Sequence, residues 1–305
     1  MKRLLLTLTL VCLALALLTL TTHVAHSGRS PLPEKPPGSL RFATLNVHYI
    51  LLRKPDGPWS VADWDRRKGP MDDAVKAINP DVLGFQEMES FAGAADGGVN
   101  LARDYLLAQN PGYAAAANGD WREFPSTQPI FYRRDTLRLL DQGWFFFADT
   151  PDIIYSRTFN GSYPAFASWA EFEPLDGGPA FRVVNVHFEY SSRSNRQRSA
   201  ALVADRIAPW VAGGQQVVLL GDINALARSA TADILTAAGL RLTPAPGATY
   251  HLNAGLNLFG AIDHIAATAG VELATPPMAL RQRFRGVWPS DHYPVIADLR
   301  FIAVD

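Results

Sequence analysis

The sequence predicts a mixed α/β domain in which β-sheets pack together and helices lie outside. Short strand-like segments alternate with helix-like segments along the chain, and neighbouring strand-like segments form hairpins. Hydrophobic residues make up 48% of the 305 residues, which is enough for a large core and argues against wholesale disorder.

Residues 1–26 are typical of an export segment. Lys2 and Arg3 precede an apolar run from Leu4 to Leu20, which is the pattern of a secretory signal. The run approaches the ~20 residues that span a bilayer, and the sequence "VAH" is a poor small-residue cleavage site. A cleaved signal peptide and an uncleaved membrane anchor are both consistent with this segment. Either predicts an extracytoplasmic body, which is secreted, periplasmic or anchored to the membrane.

Residues 27–39, "SGRSPLPEKPPGS", predict a linker because they are rich in Pro, Gly and Ser. No second segment of this kind divides residues 40–305, which we therefore expect to form one domain. The only cysteine is Cys12 in the export segment, so the body has no thiol chemistry. The chain has a formal net charge of -1, and removing Lys2 and Arg3 takes the body to about -3. This balance argues against tight non-specific binding of DNA.

Two helices are predicted. The first lies within 63–78 and ends near Asn79 and Pro80, since the residue before a proline is disfavoured in a helix. The second covers 194–211, where apolar residues recur at 201, 202, 207 and 211.

Strand-like segments make up most of the remaining pattern. Asp176, Gly177 and Gly178 predict the turn of a hairpin, and a second turn is expected near Arg134. The segment 261–273 is expected to be one closing strand. The predicted strand segments are 40–49, 81–88, 129–147, 167–189, 216–224, 261–273 and 292–303.

Several strands are apolar for most of their length and become polar where they end. If these ends meet, they form a cluster of carboxylate, amide and imidazole groups, which is costly unless its charges are paired or bind a cation. Oxygen ligands without cysteine favour a hard ion, Mg²⁺, with Mn²⁺ or Ca²⁺ as alternatives. The polar residues are Asn46, Glu87, His187, Asp222, Asn224 and Asp263.

Six short motifs carry a resemblance that covers nearly the whole body. Each motif is weak alone, but all six occur in order between residues 41 and 299, and the chain resembles the endonuclease/exonuclease/phosphatase superfamily with its deoxyribonuclease-I-like fold. The resemblance implies a four-layer α/β/β/α sandwich, in which two mixed sheets pack face to face and helices lie outside. The motifs are "TLNV", "FQEME", "NVHF", "GDIN", "IDHI" and "SDHYPV".

The resemblance also implies a metal site. Asn46 and Glu87 correspond to metal ligands, and Asp291 lies nearby as a further or water-mediated ligand. The cation would neutralise a phosphate oxygen and the charge that develops in the transition state.

The remaining positions correspond to catalytic residues of the superfamily. His292 would be a general base oriented by Asp263. Asp222 and Asn224 would position water and phosphate, and His187 would bind a phosphoryl oxygen or assist the leaving group. Family mechanisms differ over whether the Asp of "GDIN" or the His of "SDH" takes the proton, so both alternatives stay open.

Two weaker candidates for substrate contact complete the set. Arg133, at a strand end, is a candidate phosphate contact. His251 lies in "ATYH", which resembles a Gly-Thr-aromatic-His segment of some bacterial relatives, although Ala248 replaces the glycine.

The predicted function is an exported, divalent-metal-dependent phosphoesterase, and most specifically a phosphodiesterase. Its substrate could be nucleic acid, a phospholipid headgroup or a small phosphodiester, and the segment 252–260 is a candidate lipid-contacting loop. The alternative is a catalytically silent binding or scaffold protein of the same fold at the membrane. The presence of Glu87, Asp222 and His292 favours the enzyme. No obligate protein partner is indicated, and a monomer is the family-like expectation.

Overall fold

The computed structural model describes residues 2–91, 98–125, 127–161 and 163–302. The helices are α1 (Lys2–Ala25), α2 (Val61–Ile78), α3 (Leu101–Gln109), α4 (Arg193–Ala212) and α5 (Ala230–Ala237). The strands are β1 (Leu40–Asn46), β2 (Ile50–Leu51), β3 (Val82–Gln86), β4 (Ser90–Phe91), β5 (Tyr113–Ala116), β6 (Ile130–Arg133), β7 (Leu137–Phe146), β8 (Phe166–Pro174), β9 (Phe181–His187), β10 (Gln216–Asp222), β11 (Arg241–Leu242), β12 (Asp263–Ala267), β13 (Val271–Leu273), β14 (Met278–Ala279) and β15 (Val295–Phe301).

Two mixed sheets form the body. Within the described residues, the first sheet has seven strands in the order β13-β15-β1-β3-β6-β5, with β14 also paired to β15. The second has six strands in the order β11-β12-β10-β9-β8-β7. Parallel pairs, β1 with β3 and β9 with β10, lie at the centre of each sheet and are flanked by antiparallel strands.

The two sheets pack face to face. Phe42 of the first sheet belongs to the same buried cluster as Phe181 and Val218 of the second. The outer face of the first sheet packs against α2 and α3, and that of the second packs against α4 and α5. This arrangement confirms the predicted four-layer sandwich.

A buried polar network joins the sheets directly beneath the ends of their central strands. Gln86 Nε2 donates to Asn185 Oδ1 at 2.6 Å, and Asn185 Nδ2 donates to the Phe85 carbonyl at 2.8 Å. Both side chains are fully buried. Since a buried amide is stable only when hydrogen-bonded, this network restricts how the two sheets can shift relative to each other.

The boundaries of α2 follow the sequence prediction. Ser60 caps the helix by accepting a hydrogen bond from the Asp63 N–H, and Asn79 ends it in the left-handed conformation immediately before Pro80.

The prediction of one closing strand over 261–273 is wrong. The chain turns at Gly270, where φ is 86°, so β12 pairs in the second sheet and β13 pairs in the first. The apolar pattern continues across the turn because β12 is buried along its whole length and β13 is buried at its first residue, Val271.

The segment 27–39 has no helix or strand, but it lies against the body. Leu32 packs on the cluster beneath α2, and Lys35 Nζ lies 2.8 Å from Asp81 Oδ2. The preceding helix α1 is long and apolar enough to span a membrane, with a mean hydropathy of 2.5 over its most apolar window and none of that window buried. A signal sequence has the same properties.

Candidate active site

The strand register brings three of the predicted residues into one row. Asp222, the last residue of β10, lies opposite His187 on β9 and opposite Asp263 on β12. Asp263 begins its strand whereas the other two end theirs, and the antiparallel pairing of β12 places it at the same edge.

The first sheet supplies the facing residues. Asn46 ends β1 opposite Gln86 of β3, so Glu87 follows at the same edge. Asp291 and His292 precede β15, which runs antiparallel to β1 and therefore begins at that edge. The structure thus brings together the polar strand ends that the sequence singled out.

Glu87 and Asp222 converge on Asn46 and His187. Asn46 Nδ2 lies 3.2 Å from Glu87 Oε1 and 3.4 Å from Asp222 Oδ2. His187 Nε2 lies 3.9 Å and 3.8 Å from the same two oxygens. Glu87 and His187 are partly exposed, at 22% and 25% of their side chains, whereas Asp222 is buried at 2%. The cluster is therefore open to solvent on the side of Glu87 and His187.

His292 is held between two carboxylates. Its Nδ1 lies 2.9 Å from Asp263 Oδ2, and its Nε2 lies 3.8 Å from Asp222 Oδ2. Burial alone would lower the pKa of His292, but the charges of Asp263 and Asp222 outweigh burial and raise this pKa to about 10. Burial, together with the charge of Asp263, raises the pKa of Asp222 to about 6. The imidazole is therefore charged at neutral pH in this arrangement.

His48 is a site residue that the sequence reasoning missed. Its Nδ1 lies 3.0 Å from Asp291 Oδ2, its side chain is 6% exposed, and its ring stacks on Trp59. Burial would raise the pKa of Asp291, but the hydrogen bond from His48 and the charge of His292 hold it well below its usual range. Asp291 is thus an ionised carboxylate that the His48 imidazole holds in place.

Arg67 supports the site from α2 and was also missed. Its guanidinium is almost fully buried, and it donates to the carbonyls of Val47, His48 and Pro289 and to the Asp63 carboxylate. These carbonyls belong to the segments that follow Asn46 and precede Asp291. One side chain therefore fixes two halves of the site relative to each other.

Three non-glycine residues at the site have left-handed backbones: His48 at φ 63°, Glu87 at φ 55° and Asn224 at φ 49°. Conformations of this kind cost roughly 1 to 3 kcal/mol each and persist where the surroundings fix them. Asn224 is fixed by its N–H donating to Asp222 Oδ1 at 2.8 Å and its amide donating to the Phe188 carbonyl at 2.8 Å.

The residues fit a divalent cation. The carboxylates of Glu87, Asp222, Asp263 and Asp291 converge here, and Asp263 Oδ1 is buried without a hydrogen-bond partner. Concentrated negative charge of this kind is stable only when it is compensated, and hard oxygen donors select ions such as Mg²⁺.

Two positions for the ion are available within this cluster. Asp222, Asp263 and His292 offer ligand atoms within 4.8 Å of one another. However, the hydrogen bond between His292 and Asp263 already accounts for that proximity. Glu87 lies at the solvent-exposed side, the buried Asn46 lies beside it, and these two residues form the better-placed site.

Arg133 lies apart from the cluster. It ends β6 beside Asp81, at the end of β3 opposite to Glu87, and its guanidinium pairs with Asp135. β6 runs antiparallel to β3, so its C-terminal end points away from the site.

His251 lies in the core directly behind the site, and its backbone N–H donates to the Asp291 carbonyl at 2.9 Å. It is 0% exposed, its ring stacks on Tyr293 at 4.3 Å, and its Nδ1 accepts a hydrogen bond from the Gly255 N–H. The neighbouring Tyr250 does reach the site, because its ring lies 4.9 Å from that of His292.

Comparison with known proteins decides the family. The sequence profile of the Endonuclease/Exonuclease/phosphatase family matches residues 43–292, a range that contains the first five motifs described above and the "SDH" part of the sixth. The chain belongs to this family.

Solved structures of the endonuclease/exonuclease/phosphatase family have the same fold. A family protein from Bacteroides thetaiotaomicron superposes with a TM-score of 0.72 at 23% identity, over 88% of this chain and 100% of that one. The mannosyl-6-phosphatase of Bacteroides thetaiotaomicron VPI-5482 has a TM-score of 0.72 at 24% identity, over 86% of this chain and 100% of that one.

A curated relative matches over a shorter part of the chain. The uncharacterized protein L388 of Acanthamoeba polyphaga mimivirus is 23% identical over 184 residues, which is 54% of this chain and 60% of that protein. The chain thus matches less than two thirds of this relative's length.

Membership of the endonuclease/exonuclease/phosphatase family establishes the enzyme class. Its enzymes hydrolyse phosphoester bonds and typically depend on divalent metal ions. The chain is therefore a phosphoester hydrolase, and its acidic and histidine-rich cluster has the composition that this chemistry requires.

Proposed function

We propose that the protein is an extracytoplasmic, Mg²⁺-dependent phosphodiesterase in which water attacks phosphorus in line with the leaving group. The observation that carries this proposal is the convergence of Glu87, Asp222 and Asn46 beside two histidines. His187 Nε2 and His292 Nε2 both lie 3.8 Å from the same atom, Asp222 Oδ2.

Asp222 is the proposed proton acceptor. Of the two candidates, His292 is held in its charged form by Asp263 and Asp222, whereas the Asp222 carboxylate is ionised at neutral pH. A general base must be unprotonated at the working pH. His292, as a charged donor, would then stabilise a phosphoryl oxygen, and His187 would lie beside the leaving group.

Glu87 and Asn46 would hold the cation, with Asp291 in reach through water. When bound, the ion supplies charge neutralisation at a phosphate oxygen and in the transition state. Asn224 would keep Asp222 oriented, because its N–H donates to Asp222 Oδ1.

A diester is favoured over a monoester by charge. Two guanidiniums near the site are engaged by protein carbonyls: Arg67 donates through Nη1 and Nη2, and Arg196 donates through Nη1. A diester carries one negative charge and a monoester close to two at neutral pH, so the diester is repelled less by the four carboxylates.

The test compares bis(p-nitrophenyl) phosphate with p-nitrophenyl phosphate as substrates of the full chain in detergent, with Mg²⁺ or with EDTA. We expect faster turnover of the diester, its loss in EDTA, and a decrease of about 100-fold or more in Asp222→Asn. Faster turnover of p-nitrophenyl phosphate would instead identify a monoesterase. Equal rates in EDTA and Mg²⁺ would refute the metal requirement.

A further inference from the structure

The end of α1 is fixed to the body by hydrogen bonds. His23 Nδ1 accepts from the Asn257 N–H at 3.0 Å, and the Asn257 amide donates to Ser27 Oγ at 2.8 Å. The His26 carbonyl accepts from the Ala248 N–H at 3.1 Å. The helix therefore has a defined position relative to the segment 252–260.

That segment forms one apolar edge with a residue from another loop. Leu252, Leu256 and Phe259 are 43%, 43% and 37% exposed, and Leu226 is 47% exposed. A Cβ placed on Gly260, which follows Phe259, would lie 3.5 Å from Leu226 Cδ2, so Leu226 lies beside this end of the segment. We refer to these four residues as the apolar edge.

The apolar edge adjoins the active site. The ring of Phe259 stacks on Tyr250 at 5.9 Å, and the ring of Tyr250 lies 4.9 Å from that of His292. Two aromatic contacts therefore separate the exposed edge from the catalytic imidazole.

The length of α1 determines where this edge lies if the helix spans a bilayer. The apolar run ends at Leu20, and His23 follows about 4.5 Å farther along the axis at 1.5 Å per residue. The interfacial layer outside the hydrocarbon core is roughly 5 to 8 Å thick on each side. His23, and with it Asn257, therefore lies at the depth of the lipid headgroups.

We propose that α1 is retained as a membrane anchor, and that the apolar edge inserts into the headgroup layer of the same bilayer, so that the active site opens at the lipid surface. Exposed leucine and phenylalanine side chains suit this layer, where apolar side chains gain burial while the backbone stays solvated. The proposed contact with the bilayer does not depend on which phosphoester the site hydrolyses.

The test places a fluorescent label on the apolar edge of the full chain. The Cys12→Ser protein carrying Leu256→Cys, labelled with the environment-sensitive fluorophore NBD, is reconstituted in nanodiscs of phosphatidylcholine and phosphatidylglycerol. Its matched control carries Leu175→Cys, a 54% exposed leucine after β8, at the end of the second sheet opposite to His187.

We expect blue-shifted emission at position 256 that is quenched by lipids carrying a doxyl group near the headgroup, and neither effect at position 175. Leu252→Cys repeats the measurement on the same edge and guards against a folding defect in one variant. Equal, water-like emission at positions 252, 256 and 175 would overturn the proposal. It would also be overturned if the protein purified from its host membranes began after His26 rather than retaining α1.

Discussion

At the scale of single residues, the site depends on side chains that are not expected to touch substrate. Arg67 is the clearest case, because its buried guanidinium donates to carbonyls just after Asn46 and to one just before Asp291. Its loss would leave these carbonyls without this donor and the Asp63 carboxylate with only the exposed Arg66 as its arginine partner.

The neighbouring Arg66 provides a matched control. Both arginines bind Asp63, but Arg67 is 3% exposed and Arg66 is 52% exposed. We expect Arg67→Leu to lower the free energy of unfolding by about 3 to 5 kcal/mol, as for a broken buried pair, and Arg66→Leu by about 1 kcal/mol or less. Urea denaturation measures both, and equal losses would contradict the role assigned to Arg67.

His251 predicts how stability depends on pH. Burial lowers its pKa from 6.5 to about 4 in the folded protein, so the unfolded chain binds a proton first as the pH falls. Stability attributed to this residue is complete above pH 6.5 and is lost between there and about pH 4. The expected loss between about pH 7 and about pH 5 is about 2 kcal/mol.

The variant His251→Phe isolates this contribution, because it keeps a ring between Trp288 and Tyr293 and removes the titration. Burial also lowers the pKa of His264, and that effect remains in both proteins. Urea unfolding at the two pH values should show a smaller pH dependence in the variant. An unchanged dependence would show that His251 does not titrate as described.

At the scale of secondary-structure elements, the close approach of the two sheets sets the shape of the site. Gly84 of β3 faces Leu220 of β10, and a Cβ at Gly84 would lie 2.0 Å from Leu220 Cδ1. The absence of a side chain at Gly84 therefore lets Glu87 and Asp222, which follow on the same strands, come together.

Gly84→Ala should destabilise the protein by about 1 to 3 kcal/mol, as overpacking does. Gly112→Ala is the control, since a Cβ there would meet nothing within 4 Å. In the double variant Gly84→Ala/Leu220→Ala, the loss should be smaller than the sum of the single losses, because the clash is removed. Strictly additive losses in thermal or urea unfolding would argue against this contact.

The elements also show what the sequence could predict. The ends of β1, β3, β9 and β10 were recognisable because each apolar run stops at a polar residue, and the family motifs fixed their order. Arg67 and His48 were not recognisable, since their partners are backbone carbonyls and a carboxylate distant in sequence. Arg133 and His251 are predicted from residue type and neighbourhood. Strand direction places Arg133 at the far end of its sheet, and burial closes the His251 side chain off from solvent although its N–H donates to the Asp291 carbonyl.

At the scale of the whole molecule, the sandwich concentrates the chemistry at one edge of both sheets. Each sheet contributes carboxylates to that edge, and the amide network of Gln86 and Asn185 joins the sheets just beneath it. The centre therefore exists only when the two halves are packed, so metal binding should report on the complete fold.

The metal centre is tested most directly by measuring Mn²⁺ binding to the full chain, with calorimetry or with the electron paramagnetic resonance signal of the free ion. Glu87→Gln is compared with wild type, and Glu272→Gln, on an exposed part of β13, is the control. We expect Mn²⁺ binding to be lost in Glu87→Gln alone. Glu87→Gln should be as stable as wild type or more so, because removing one of several converging charges relieves repulsion, and Glu272→Gln should be as stable as wild type. Mn²⁺ binding to Glu87→Gln as tight as to wild type would contradict the metal centre described here.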